Sequence, residues 1–316
     1  MAEQISGKRG GVVHLYALSL NEMAMLGFFF RHYDEIVNRY FIYDDGSTDG
    51  TLEMLRAHPK VECRRFERLV PDSFILSAHH FHENIWKQSR GLADWVFLTP
   101  IDEHLCHADM AGYLERCRRE GVTAIPALGY EMIARRLPHA GSRLCETITT
   151  GVPDILSSKL SIFNPVAVDS TGYTVGRHYA FPRGTIVLPP SDEVVLLHYK
   201  YIDPAYTVKR QHTLAQGLKE RDRANRWGGH YGHSEEKILQ VFAQLEARTV
   251  DLGNPTYNPD HDHRGLRTWR LSKHQQRVLR CRNEIHHAAT VFMNRYKGLR
   301  ALLRALRYLR RRLAGA

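Results

Sequence analysis

Apolar residues along this chain come first in short unbroken runs and later at helical spacing. The runs Val12 to Leu18, Tyr40 to Tyr43, Trp95 to Leu98, Val122 to Ala127, Leu160 to Phe163 and Val194 to Tyr199 each have the length of a buried strand. Between them the pattern predicts helices from about Glu22 to Tyr33, from Thr51 onward, around Asn84 to Gly91 and from about Asp109 to Glu120. Early alternation of strand and helix predicts an α/β fold, a mostly parallel sheet with helices on both faces. From roughly Tyr206 onward helical patterning dominates, broken by a Gly, Pro and His-rich stretch between Gly253 and Gly265. The expected organisation is a main domain over residues 1–250 and a helical extension over 251–316. No internal repeat or low-complexity block interrupts it.

Composition adds limits. At 316 residues and 43% hydrophobic, the chain is long enough for one large α/β domain with a helical annex. Its five cysteines are widely spaced with no CxxC pair, so neither a disulfide framework nor a zinc knuckle is indicated, and a reducing cytoplasm fits best. The N-terminal MAEQISGKRGG has no long apolar core, and no stretch approaches the roughly 18 apolar residues of a membrane span.

The net charge of +10 is concentrated at one end. Val291 to Ala316 holds eight basic residues and no acidic one, which leaves 36 basic against 34 acidic groups in the rest of the chain. A nearly neutral body does not predict a nucleic-acid partner. In the tail, Leu299, Leu302, Leu303, Leu306, Leu309 and Leu313 recur at helical spacing, so the segment reads as an amphipathic basic helix. Two roles fit it: peripheral docking on an anionic membrane surface, at the inner face of the membrane, or packing on its own protein with a solvated basic face.

The first candidate chemistry lies at YDDGSTDGT, residues 43–51. Ligands of open α/β sheets bind beyond the carboxyl ends of the strands, where Asp44 and Asp45 would sit. Carboxylates there can accept hydrogen bonds from a base or a ribose, while Gly46 permits a tight turn and Ser47, Thr48 and Asp49 cap the next helix. An acidic turn that only caps the helix is the alternative. The first strand runs into SLNEMAML without GxGxxG, and no GxxxxGK[ST] occurs, so neither a dinucleotide fingerprint nor a P-loop is present.

The chain resembles the inverting GT-A glycosyltransferases of family 2. The shared elements are Asn21-Glu22, the loop Asp44 to Thr51 and an acidic motif at Pro100 to His104, PIDEH. The resemblance is closer to a subgroup with further motifs, here NIWKQSRGLADWV at Asn84 to Val96, GYEM at Gly129 to Met132, SKLSIFNP at Ser158 to Pro165 and LLHYKY at Leu196 to Tyr201. It spans about residues 12–235. It implies a GT-A type, Rossmann-like sheet, a nucleotide-sugar donor, a glycan or lipid-linked acceptor, and Mn²⁺ or Mg²⁺ as cofactor. Asn21, Glu22, Asp44 and Asp45 then belong to the nucleotide-sugar site.

Hard oxygen ligands suit such an ion, and Asp102, after the strand WVFL, is the expected metal contact with Glu103 beside it. Pro100 stands where the family pattern has its first aspartate. A histidine near a strand end reads by itself as a hydrogen-bonded core residue; with the resemblance, His198 becomes a further metal ligand. Cations stabilise the charge that builds on a leaving nucleoside diphosphate. Lys87 and Arg90, expected at i and i+3 on one helix face, are candidates for that role, as are Lys159, His178 and Lys200. Solvated surface charge is the alternative for each. Inversion needs a carboxylate base near the acceptor hydroxyl, and Asp154 and Glu131 are the two candidates. WGGHYGH at Trp227 to His233 is a candidate lid, and HDHRG at His261 to Gly265 reads as a polar loop. Two function classes result: an active metal-dependent sugar transferase making cell-surface polysaccharide or glycolipid, or a non-catalytic nucleotide- or glycan-binding relative.

Overall fold

The computed structural model describes residues 10–263 and 267–282. The basic tail therefore lies outside the described residues, as does part of HDHRG. In chain order the first half runs β1 (Val13–Ser19), α1 (Met23–Tyr33), β2 (Arg39–Asp44), α2 (Thr51–Ala57), β3 (Val61–Arg65), α3 (Phe74–Asn84), β4 (Trp95–Leu98), β5 (Glu103–Cys106) and α4 (Met110–Arg119). The second half runs β6 (Ala124–Ala134), α5 (Leu144–Thr147), β7 (Thr150–Pro153), β8 (Lys159–Phe163), β9 (Val168–Ser170), β10 (Arg183–Gly184), β11 (Val195–Ile202), α6 (Pro204–Gly217), α7 (Glu220–Asn225), α8 (Glu235–Glu246), β12 (Val250–Asp251) and α9 (Pro259–Asp262).

Ten strands form one mixed sheet along the path β12-β7-β6-β8-β4-β1-β2-β3, with β11 pairing both β5 and β6. The pairings make β1, β2, β3, β4, β6, β11 and β12 run one way and β5, β7 and β8 the other. The expected α/β architecture, mostly parallel and flanked by helices, is what the chain adopts. The central strands are apolar on both faces because helices cover both; Leu15, Tyr16, Ile42, Phe97 and Leu98 are all fully buried.

Several element expectations need correction. The helix expected around Asn84 to Gly91 is instead the end of α3 followed by a 3-10 helix over Ile85–Ser89, with Arg90 already extended. Lys87 and Arg90 therefore do not share an α-helical face. The strand expected over Val122 to Ala127 starts later and runs on through GYEM to Ala134. The acidic motif continues directly into a strand, β5, where no strand was expected.

The motifs of the closer resemblance largely hold the frame. Trp86 is fully buried with its ring edge-on to Phe163 at 4.9 Å, so NIWKQSRGLADWV packs against SKLSIFNP. Arg90 donates to the carbonyls of Pro165, Val168 and Asp169 at 3.0, 3.0 and 3.1 Å, and Asp94 accepts from Val12 N at 2.7 Å. Beyond the expected boundary at 250, β12 still pairs with β7, and Arg267, Trp269 and Arg270 all bond to Asp192.

Candidate functional site

Three neighbouring strands bring the polar cluster together, Glu103 from the start of β5 and His198 and Glu131 from within β11 and β6, so His198 is not near a strand end as expected. Glu103 on β5 sits directly opposite His198 on β11, and His198 sits opposite Glu131 on β6. Directly paired residues project to the same side of a sheet, so these three side chains share one face. Asp102 precedes β5 and its carbonyl accepts from Tyr199 N at 2.8 Å, which fixes it beside His198. Gly129 permits the last piece. A side chain there would lie 2.0 Å from the Ser157 carbonyl carbon, so only glycine lets the turn at Ser157 and Ser158 rest on β6. That turn places Ser157 Oγ to donate to Glu131 Oε1 at 2.7 Å.

The result is a line of groups. His198 Nδ1 donates to Glu131 Oε1 at 2.8 Å, and its Nε2 faces Asp102 Oδ2 at 3.5 Å. Burial alone would push the imidazole down, but Glu131 and Asp102 overturn it and raise the ring to about 10. Burial would likewise raise both carboxyls; His198 and neighbouring cations reverse this, holding Glu131 at about 2 and Asp102 well below the usual carboxylate range. Lys200 is pushed down by burial against the pull of Glu131 and Asp102, and its ammonium lies over the Tyr201 and Tyr231 rings at 5.2 and 5.6 Å. Tyr231 belongs to WGGHYGH, so this segment packs beside Lys200.

Two buried ion pairs flank the line. Glu103 meets Lys159, with side chains only 2% and 8% exposed. The structure thus directs Glu103 at a lysine, and Lys159 at a carboxylate rather than open space. Glu22 meets Arg210 of α6, and Arg210 also donates to the Leu20 carbonyl at 2.7 Å. Burial pushes the Glu22 carboxyl up to about 8 despite that guanidinium. Sequence reasoning missed Arg210. Its signal was available in α6, whose buried residues are Thr207, Arg210 and Gln211, a polar stripe facing inward where an apolar one would be ordinary.

The remaining expected residues are placed as follows. Asp44 accepts from Gly46 N and Ser47 N at 2.9 and 2.8 Å, so its carboxylate closes its own turn. Asp45 is held by the Arg68 guanidinium, Nε to Oδ1 at 2.9 Å. Asn21, at a left-handed φ of 53°, accepts from Thr48 N at 2.8 Å, tying the β1–α1 turn to the DDGST loop. Lys87 Nζ donates to Asn84 Oδ1 at 2.8 Å. His178 Nδ1 lies 3.1 Å from the Leu156 carbonyl, its ring pushed down by burial and by Lys159. Asp154 accepts from Ser157 N at 2.8 Å and is close enough to act electrostatically on His178, Lys200 and Tyr201.

The donor set suits a hard divalent cation. Asp102 offers a carboxylate, His198 an imidazole nitrogen once an incoming cation displaces the Nε2 proton, and Glu131 fixes the His198 ring through the opposite nitrogen, as carboxylates behind metal-bound histidines do. Glu103 Oε2 and Glu131 Oε2 are buried without a hydrogen-bond partner, a further sign that positive charge is wanted here.

No protein-family model matches the chain, and no curated protein matches it. Among solved structures, S. aureus TarS 1-349 is similar at 11% identity and a TM-score of 0.36, over 90% of this chain and 80% of that one. A structure of S. aureus TarS gives 11% and 0.35, over 84% of this chain and 46% of that one. Likeness this slight leaves function to the residues of the site.

Proposed function

We propose that this chain is a metal-dependent, inverting sugar transferase that uses a nucleotide-sugar donor and a glycan or lipid-linked acceptor in cell-surface polysaccharide or glycolipid synthesis. The observation that carries the reading is the line Asp102–His198–Glu131 across the neighbouring strands, flanked by Lys200, Lys159 and Arg210. A Mn²⁺ or Mg²⁺ held by Asp102 and His198 would supply charge neutralisation for the leaving diphosphate. Glu131 orients His198 and, bonded also to Ser157, is poorly placed to act as base. Asp154 is the carboxylate left for that role: it takes the proton of the acceptor hydroxyl as that oxygen bonds to the anomeric carbon and the bond to the nucleoside diphosphate breaks. Lys200 and Tyr231 would close over the sugar.

A second reading, nucleotide or glycan binding without turnover, is favoured by two features. Asp44 and Asp45 already satisfy their oxygens within the protein, and Pro100 replaces a carboxylate. The test is donor hydrolysis and transfer across a panel of UDP and GDP sugars with Mn²⁺ against EDTA. The transferase reading expects EDTA-sensitive turnover that Asp102→Ala and His198→Ala each abolish. Nucleotide binding with no turnover of any donor would move the assignment to the second reading. Peripheral membrane docking by the tail, a cytoplasmic location and the division at 250 rest on the sequence; loss of salt-sensitive liposome binding on removing the basic tail would support the first of these. Among the described residues no helix is long and apolar enough to cross a membrane.

A further inference from the structure

On the far side of β5 from the acidic cluster, three residues distant in sequence converge. His32 near the end of α1, Cys106 at the end of β5 and Cys145 in α5 each bring one ligand atom to within 4.8 Å of the others. His32 Nε2 lies 3.0 Å from the Leu105 carbonyl, which fixes the proton on that nitrogen, and 3.8 Å from Cys106 Sγ. Its Nδ1 is left as the lone-pair nitrogen and faces Cys145 Sγ at 3.8 Å. The His32 ring is further held by stacking on the buried His104 at 4.5 Å. All five cysteines are free thiols, and Cys106 and Cys145 are half-buried, shielded yet reachable.

We propose that His32, Cys106 and Cys145 form a binding site for one soft divalent cation of the zinc class, with a water in the fourth position, separate from the acidic site. Two sulfurs and one imidazole nitrogen are the donors such an ion selects. With Zn–S about 2.3 Å and Zn–N about 2.0 Å, tetrahedral binding needs ligand atoms roughly 3.5 to 3.8 Å apart, so the cluster closes on the ion by small side-chain movements. The second nitrogen of a metal-bound histidine ordinarily donates to a carbonyl or carboxylate, which the Leu105 contact already provides. Binding releases the thiol protons and leaves both sulfurs as thiolate ligands.

The site would join α1, β5 and α5, of which the ends of α1 and α5 are already linked by the ion pair of Arg143 with Glu35. Cys106 is four residues from Asp102, on the strand that also carries Glu103, so the ion would brace the support of the acidic cluster. Mn²⁺ sits at the weak end of the affinity order for such donors. The two sites therefore sort different metals, soft ligands behind the strand and hard ligands before it.

Cobalt(II) titration of the reduced full chain tests this. The expected result is a thiolate-to-cobalt charge-transfer band saturating at one equivalent, lost in Cys106→Ser and in Cys145→Ser and displaced by Zn²⁺ but not by Mn²⁺. Asp102→Ala should leave the band intact, which separates this site from the acidic one. Thiol labelling of the wild-type chain adds a readout free of mutation: with Zn²⁺, two fewer cysteines should react than after chelation. No band in the fully reduced chain, a band that survives both serine substitutions, or thiol counts unchanged by Zn²⁺ would each overturn the proposal.

Discussion

His198 and His104 lie on opposite sides of β5 and are held in opposite protonation states. His198, between Glu131 and Asp102, is raised to about 10. His104, fully buried among His32, Tyr33 and Tyr199, is held well below the ordinary histidine value. Burial pushes both rings the same way. At His198 the charge and hydrogen bonds of Glu131 and Asp102 overturn burial, whereas at His104 His32 adds to it and the pull of Asp102 does not overcome it, so a histidine's chemistry in this protein is decided by whether carboxylates bond to it in the core. On one side of the strand buried charge is answered by opposite charge; on the other the core is aromatic and sulfur-rich, and His104 has no well-formed hydrogen bond, the Ile101 backbone only weakly offsetting its burial.

The largest expected effect tests the charged side. Glu103 and Lys159 are almost wholly buried, and removing one member leaves an uncompensated charge in the interior. Lys159→Met should destabilise the chain by about 3–5 kcal/mol, whereas Lys159→Met with Glu103→Leu should recover most of the loss. Urea denaturation of the three proteins measures it. Equal destabilisation in the single and double variants would mean that packing, and not charge, dominates this side.

How far the sequence anticipated these two sides follows from chain separation. The long apolar runs were legible because a strand covered on both faces must be apolar throughout, and β1, β2, β4, β8 and β11 lie within a residue or three of where the pattern puts them. β5 was not legible: it is four residues long and carries Glu103 and His104, so nothing in its local pattern separates strand from acidic turn. α3 was missed because FILSAHHFHEN carries three histidines on an otherwise helical repeat, while the Trp86, Lys87 and Arg90 spacing just beyond it mimicked a helix. Asp102, Glu131 and His198 were found one by one, but their common line depends on the β5–β11–β6 register, which is visible only in space. Cysteine spacing excluded a local zinc motif and could not disclose a cluster built from residues 32, 106 and 145.

A smaller effect compares the two histidines directly. His104→Phe replaces a ring that lacks good partners with an apolar ring of similar shape, so stability should change by no more than about 1 kcal/mol. His198→Phe leaves Asp102 and Glu131 without their shared cation and should cost about 3 kcal/mol. Thermal or urea midpoints of the two variants decide the matter. If His104→Phe is the more damaging, the imidazole has a partner of its own, and the contrast across β5 fails.

The smallest effect is in pH dependence, and its sign differs between the two kinds of histidine. His14 on β1 is pushed down to about 4 by burial and by Arg39. Its folded value lies below the unfolded one of about 6.5, so below pH 6.5 the unfolded chain takes up a proton that the folded chain refuses. Its contribution is complete above pH 6.5 and is lost as the pH falls toward 4. His198, raised to about 10, behaves in reverse: its contribution is complete below pH 6.5 and fades as the pH climbs toward 10. Stability from these two groups should therefore peak near pH 6.5. His14→Asn keeps a group able to bond Ser89, which His14 Nδ1 meets at 2.7 Å, but removes the titration. The variant should show a shallower fall of the urea midpoint between pH 6.5 and 4 with its alkaline limb unchanged. An acid limb of wild-type steepness in the variant would show that His14 takes up its proton equally in both states, and that burial at β1 does not act on this ring as it does on His104.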